Sequence, residues 1–213
     1  MNQINLQLAR DRVASELRKA ILYGSFLPNQ ELAQDKIAEE LGVSRMPVRE
    51  ALQMLAVEGL VTIRPNKCAI VNNITNDFIQ DHFEIRSLLE ETAVVKACKD
   101  AHSDYTKLWE YYHSAQVAIN LEDYYTFNQF NRLFHEEIWR MSGNVKLEQM
   151  LSQLWNSLFV DSRAKEFASI SNEEHGELAE CIANHEPERA RAIMKTHVQR
   201  SMQRILENKN SMR

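Results

Sequence analysis

The 213-residue sequence predicts a mostly α-helical protein: an N-terminal winged helix-turn-helix followed by a C-terminal, all-α, six-helix antiparallel bundle. Three observations carry that expectation. The chain holds only five glycines and four prolines, too few for a turn-rich β-architecture. Its first seventy or so residues read as short helices around a tight glycine turn, followed by two short β-rich runs. From Thr75 onward apolar residues recur at helical spacing almost without a break.

Taken in order, Val13, Leu17, Ala20 and Ile21 form one face of a helix over Leu8 to Tyr23, ended by Gly24 and Pro28. A short helix follows from Gln34 to Leu41, with Ile37, Ala38 and Leu41 facing inward. Gly42-Val43-Ser44 makes a tight turn, and Ser44 is placed to cap the next helix. Pro47 is tolerable in the first turn of that helix, which runs to about Glu58 and buries Val48, Ala51, Leu52 and Leu55. Leu60–Ile63 and Ala69–Val71 then read as a hairpin with Arg64-Pro-Asn-Lys67 at its tip. Asn72-Asn73 is the expected junction, dividing the chain into domains 1–72 and 73–213. Six helical segments follow, over 75–100, 103–119, 122–142, 145–164, 172–184 and 187–208. Stop signals lie at Gly143-Asn144, at Ser171-x-x-Glu174 read as a capping box, and at Pro187.

The net charge is −5, but it is unevenly spread. Residues 1–72 carry nine Lys/Arg against eight Asp/Glu, and residues 73–213 carry 16 against 22. The acidity lies in the second part, which leaves the first free to meet a polyanion. Cys68, Cys98 and Cys181 are far apart and form no C-x-x-C pair, so they imply no disulfide framework and suit a reducing cytoplasm. No window approaches the ~20 apolar residues of a membrane span.

The run AQDKIAEELGVSRMPVREALQMLAVEGLV has the form of a helix-turn-helix whose second helix enters the major groove of double-stranded DNA. Arg45 and Arg49 lie four residues apart and so project from one face. An arginine fork can take guanine O6 and N7 together, or grip a phosphate. Ser44, Met46 and Lys36 surround them, and Arg64 and Lys67 at the hairpin tip are placed to touch the minor groove or the backbone.

The stretch LGVSRMPVREALQMLAVEGLV resembles the signature of the GntR family of regulators, and GSFLPNQEL before it is similar to that family's first loop. The resemblance implies a homodimer on a palindromic operator. Three positions depart from the pattern. Asp35 stands where an arginine is common, Met46 where a threonine is usual, and Cys68 where the wing commonly has glycine.

The second domain resembles the helical effector domain of the FadR-like branch, called FCD, in its shorter VanR-like variant. Phe83-Glu-Ile-Arg86-Ser-Leu-Leu-Glu90, Phe134-His135, Met141-Ser-Gly-Asn144, Glu174-His175 and His197 carry this resemblance. Read without the family, His135, His175 and His197 sit on three helices, and three imidazoles converging in a bundle can hold a divalent metal such as Zn, Ni or Mn. Asn131, one turn before His135, shares its face; the resemblance implies an aspartate there, completing a metal site. Arg86 either meets the carboxylate of an effector or pairs with Glu90 or Asp81. Ile85, Leu88 and Leu89 around it read as buried.

The expectation is a DNA-binding regulator in the cytoplasm, a repressor controlled by a small organic acid, and not an enzyme. Two alternatives stand beside it: an effector domain that takes its organic ligand without a metal, and a metal-dependent hydrolase. Against the hydrolase, no H-E-x-x-H-like motif places a general base beside the histidines.

Overall fold

A computed structural model describes residues 6–22, 24–65, 68–99, 104–157 and 165–211. In chain order its elements are α1 (Leu6–Leu22), β1 (Glu31–Ala33), α2 (Gln34–Leu41), α3 (Arg45–Val57), β2 (Val61–Ile63), β3 (Cys68–Val71), α4 (Asn76–Lys99), α5 (Thr106–Asn120), α6 (Tyr124–Met141), α7 (Val145–Ser157), α8 (Lys165–Ala183) and α9 (Pro187–Ser211). They fall into two compact units, one of Met1–Ile79 with Leu206–Arg213 and one of Gln80–Ile205.

In the first unit α1 packs on α3. Val13, Ala14, Leu17 and Ile21 are buried on one helix, and Val48, Ala51, Leu52 and Leu55 on the other. Ala14 takes the inward place expected of Ala20, which is half-buried. Gly42 closes α2 in the left-handed conformation (φ 64°), its N–H bonding back to Ala38 and Glu39. Ile37 and Ala38 face inward as expected, whereas Leu41, the last residue before that turn, is 40% exposed. Ser44 occupies the N-cap position of α3 in extended geometry, but its side chain makes no capping bond. The usual donors to such a cap are the second and third helical N–H groups, and the third here is Pro47, which has none.

β2 and β3 pair antiparallel, Val61 opposite Val71 and Ile63 opposite Ala69, as the hairpin reading requires. The strand missed is β1, which pairs with the other edge of β3 and gives the order β1-β3-β2. At three residues it is too short for an alternating pattern to register. Asn72 fastens the end of β3, accepting from the Thr62 hydroxyl and donating to the Gly59 carbonyl, each at 2.8 Å.

The Glu58-Gly-Leu-Val segment has a packing reason at each position. Glu58 receives Arg18 of α1 at both oxygens, at 2.6 and 2.8 Å, with each side chain about one-tenth exposed. Gly59 has φ +76°, and a Cβ there would come within 3.1 Å of the Phe78 ring. Leu60 and Val61 are buried. Arg18, one of the nine basic residues of the N-terminal part, is thus spent on the interior.

In the second unit α5 and α6 form an antiparallel pair with α8 beside α5, around Ala115, Ala118, Ile119, Phe127 and Ala168. Asp123 caps α6 by accepting from the Thr126 N–H at 3.1 Å, and Asn144, after Gly143, caps α7 through the Leu147 N–H at 3.2 Å. α8 begins at Lys165, not near 172. Ser171 lies inside it, because Ala168, Ser171, Asn172 and His175 make one continuous buried stripe at helical spacing, and that stripe overrides the local capping pattern. On α4 the expected face is turned: Ile85 and Leu88 are 49% and 57% exposed, while Ile79, Phe83, Arg86 and Glu90 line the interior.

The Arg18–Glu58 pair leads to a stability prediction. Arg18→Ala leaves a carboxylate buried without its partner, and a loss of about 3–5 kcal/mol is expected. Thermal or urea denaturation of the full chain reads it; an unchanged midpoint would show that Glu58 finds another partner.

Candidate functional site: an exposed reading helix and a buried histidine cluster

Helix α3 presents two unlike sides. Val48, Ala51, Leu52 and Leu55 are fully buried, whereas Ser44, Arg45, Met46 and Arg49 are exposed. The arginines share the outer face, one turn apart. Lys36 on α2 is exposed beside Glu40, at 3.8 Å, and Arg64 is exposed at the end of β2. Lys67 lies outside the described residues. Arg45 is not free in solvent: its Nε lies 2.5 Å from Asp35 Oδ1.

The second unit buries its three singled-out histidines together. His135 on α6 and His175 on α8 are 0% exposed, and His197 on α9 is 3% exposed. One ring nitrogen from each lies within 4.8 Å of the others. Phe134 stacks on His175, with centroids 4.3 Å apart, and Trp155 lies 4.7 Å from His135.

Two carboxylates fix the proton positions. His135 Nδ1 donates to Glu90 Oε2 at 3.4 Å, and His197 Nδ1 donates to Glu174 Oε2 at 2.7 Å. Carboxylates only accept, so in the neutral rings each Nε2 carries a lone pair. Those two Nε2 atoms face each other at 3.1 Å. Two lone pairs at that distance repel unless a proton or a metal cation lies between them, and burial disfavours the extra proton. Imidazoles bound to one divalent ion at about 2.0–2.1 Å place their nitrogens roughly that far apart. Asn131, 9% exposed on α6, has no hydrogen-bond partner for Oδ1 among the described residues, and neither does either ring nitrogen of His175. The donor set therefore fits a divalent metal: three imidazoles and one amide oxygen, with carboxylates behind two of the rings.

Burial keeps the rings neutral. It lowers His135 and His197 from 6.5 to about 4, and Arg86 adds its repulsion in both cases. His175 is pushed well below its ordinary value by burial and by the two other histidines.

Glu90 is the hub. Burial alone would raise its carboxyl, but His135, Arg86 and the Trp139 indole N–H (2.7 Å) more than offset that and hold it down at about 2. Arg86 is 3% exposed; its Nε and Nη2 both reach Glu90 Oε1 at 3.3 Å, and it lies 4.3 Å from the Trp155 ring centre. Glu90, not Asp81, is its ion-pair partner. Glu174 also pairs with Arg200.

Sequence reasoning named the histidines, Asn131 and Arg86, and the fold brings His135, His175 and His197 together. It missed Glu90 and Glu174 as the groups that set the imidazole protons. The available signals were Arg86 to Glu90 at a four-residue spacing and an acid directly before His175. Of the remaining histidines, His113 and His185 are exposed, His102 lies outside the described residues, and half-buried His82 donates to the Leu154 carbonyl at 3.1 Å.

Comparison with known proteins agrees with both halves. The family of bacterial regulatory proteins described as gntR matches residues 9–71, and the FCD domain matches residues 81–200. The regulator McbR of Escherichia coli is 30% identical over 156 residues, covering 73% of this chain and 69% of its own length. The gluconate operon transcriptional repressor of Bacillus subtilis is 34% identical over 151 residues, which is 69% of this chain and 59% of the repressor. Among solved structures, E. coli McbR/YncC superposes with a TM-score of 0.73 at 24% identity, covering 96% of this chain and 99% of that one, a likeness of fold. These relatives are transcriptional regulators rather than enzymes, which removes the hydrolase alternative. The matches over both halves of the chain, with these relatives, place it in the GntR family of DNA-binding transcriptional regulators, with an FCD domain after the helix-turn-helix.

Proposed function

We propose that the chain is a ligand-controlled repressor working in the cytoplasm as a homodimer, with residues 1–72 reading a palindromic operator and residues 73–213 sensing a small organic acid beside a divalent metal. The observation that supports sensing is the convergence of His135, His175 and His197 with two Nε2 lone pairs turned on each other. Repression is supported by the gluconate operon repressors among the relatives.

In the reading half, Arg45 and Arg49 take base edges while Ser44, Met46, Lys36, Arg64 and Lys67 touch neighbouring bases or phosphates. In the sensing half, His135, His175, His197 and Asn131 hold the ion, Zn, Ni or Mn. A bound ion supplies a positive centre for a carboxylate ligand. Glu90 and Glu174 keep the Nε2 atoms of His135 and His197 unprotonated and aimed inward. Arg86, whose Nε and Nη2 go to Glu90, has Nη1 to offer an effector carboxylate. Ligand binding shifts the dimer between arrangements of differing operator affinity, and a coupling of about 1–3 kcal/mol suffices. A second reading is favoured by one residue: Asn131 lacks the negative charge of an aspartate, and a donor cluster without that charge can take an organic ligand with no metal.

Arg49→Ala is expected to lose about 1–3 kcal/mol of binding per half-site. A mobility-shift assay on the DNA upstream of the protein's own gene measures this, and unchanged binding would remove α3 as the reading helix. Elemental analysis of protein purified without chelator should find about one divalent ion per chain, lost in His135→Ala and in His175→Ala. Glu90→Gln keeps the shape and removes the charge, and metal affinity should fall roughly 10- to 100-fold. A metal-free wild type that still binds its effector establishes the second reading instead.

The buried imidazoles also set a pH dependence. His135 and His197 titrate near 6.5 when unfolded and near 4 in the fold. As pH falls through that interval the unfolded chain binds more protons, so the stability present above pH 6.5 drains away toward pH 4. The melting temperature of chelator-treated protein should therefore drop between about pH 7 and about pH 5, and His135→Gln should flatten that drop. Equal slopes in the two proteins would place the titrating group elsewhere.

A further inference from the structure

The departure at Asp35 is matched by a contact that needs an acid. Its Oδ1 meets Nε of Arg45 at 2.5 Å, joining the first turn of α2 to the first turn of α3. The side chains are 66% and 71% exposed, and an ion pair so open to water adds little to stability. Its effect is directional. The carboxylate lies against the guanidinium nearest Nε, an ion pair without a hydrogen bond, and both terminal Nη groups stay as the fork that matches O6 and N7 of guanine. A free arginine must settle its long side chain before it reads a base. One already held gives up less on binding. Toward phosphates the acid acts in the opposite sense, since it offsets the charge of Arg45 and repels the DNA backbone.

We infer that Asp35 is a specificity-determining residue of the reading face: it positions the Arg45 fork for a base edge and withdraws that arginine from the phosphates. The inference rests on the reading of α3 as the recognition helix, and goes beyond it by assigning to an acidic residue of the preceding helix the task of aiming a basic one. Asp35 also lies in the first turn of α2, where a negative charge suits the helix dipole. That role would move the melting temperature without changing base preference, so the two are separable.

The test is in vitro selection from a random duplex DNA library with the full-length wild type, Asp35→Ala, Asp35→Asn and Arg45→Ala. Binding of each to the winning duplex and to its single-base-pair variants is then followed over a range of KCl concentrations. Arg45→Ala should erase the preference at one position of each half-site. Asp35→Ala should blunt that same position roughly three- to tenfold, leave the others sharp, and steepen the plot of log affinity against log salt by about 0.9 for each arginine released to a phosphate. Asp35→Asn keeps an acceptor and should fall between wild type and Asp35→Ala. Discrimination at the Arg45 position as sharp in Asp35→Ala as in the wild type overturns the inference, as does a blunting spread evenly over every position. If Arg45→Ala alters no position, the reading of α3 itself fails, and the role of Asp35 with it.

Discussion

Two imidazole lone pairs aimed at one another are the constraint on which the helical unit depends. His135 and His197 cannot rest with Nε2 atoms 3.1 Å apart unless something positive lies between them or one ring gives up its carboxylate. The surrounding structure prevents the second outcome. Glu90 is pinned by Arg86 and Trp139, and Glu174 pairs with Arg200, so neither acid is free to release its histidine. Arg86 is pinned in turn by the face of Trp155. A buried charge network of this kind adds little stability by itself. It holds donor atoms still.

The reading unit is organised on another principle. Its interior is centred on the packing of α1 against α3, with Ile37, Ala38, Leu60 and Val61 beside it, and the outer side of α3 stays out of that core. Charge is divided accordingly. Arg18 goes inward to Glu58, whereas Arg45 and Arg49 go outward. Counting basic residues along the N-terminal part cannot make that distinction, because Arg18 and Arg49 contribute equally to the sum and in opposite ways to the surface.

Much of the fold was legible because its signals are local. The glycine turn at Gly42, the hairpin around Arg64 and the cap at Asn144 each need only a few neighbouring residues. The histidine cluster was legible as three mid-helix histidines on different helices of a bundle, and the resemblance singled out the same three; their spacing alone does not bring the helices together. Failures came where tertiary packing outweighs local pattern. Ser171-x-x-Glu174 resembles a helix start, yet the buried stripe from Ala168 to His175 carries the helix straight through it. On α4 the hydrophobic residues Ile85 and Leu88 were expected inside beside Arg86, yet they are exposed while Arg86 and Glu90 are buried. The interior there is polar because it serves the histidines, so hydrophobicity misjudges which face turns in. β1 is held by its pairing to β3, a partner distant in sequence.

The placement of the tryptophans has an optical consequence. The chain has three, and two of them border the histidines: Trp155 lies 4.7 Å from the His135 ring, and Trp139 donates to the same carboxylate that His135 does. Indole emission responds to nearby charge and to quenching by paramagnetic ions. The molecule thus carries its own fluorophores at the imidazole cluster, and occupancy of the cluster can be followed by light in unlabelled protein.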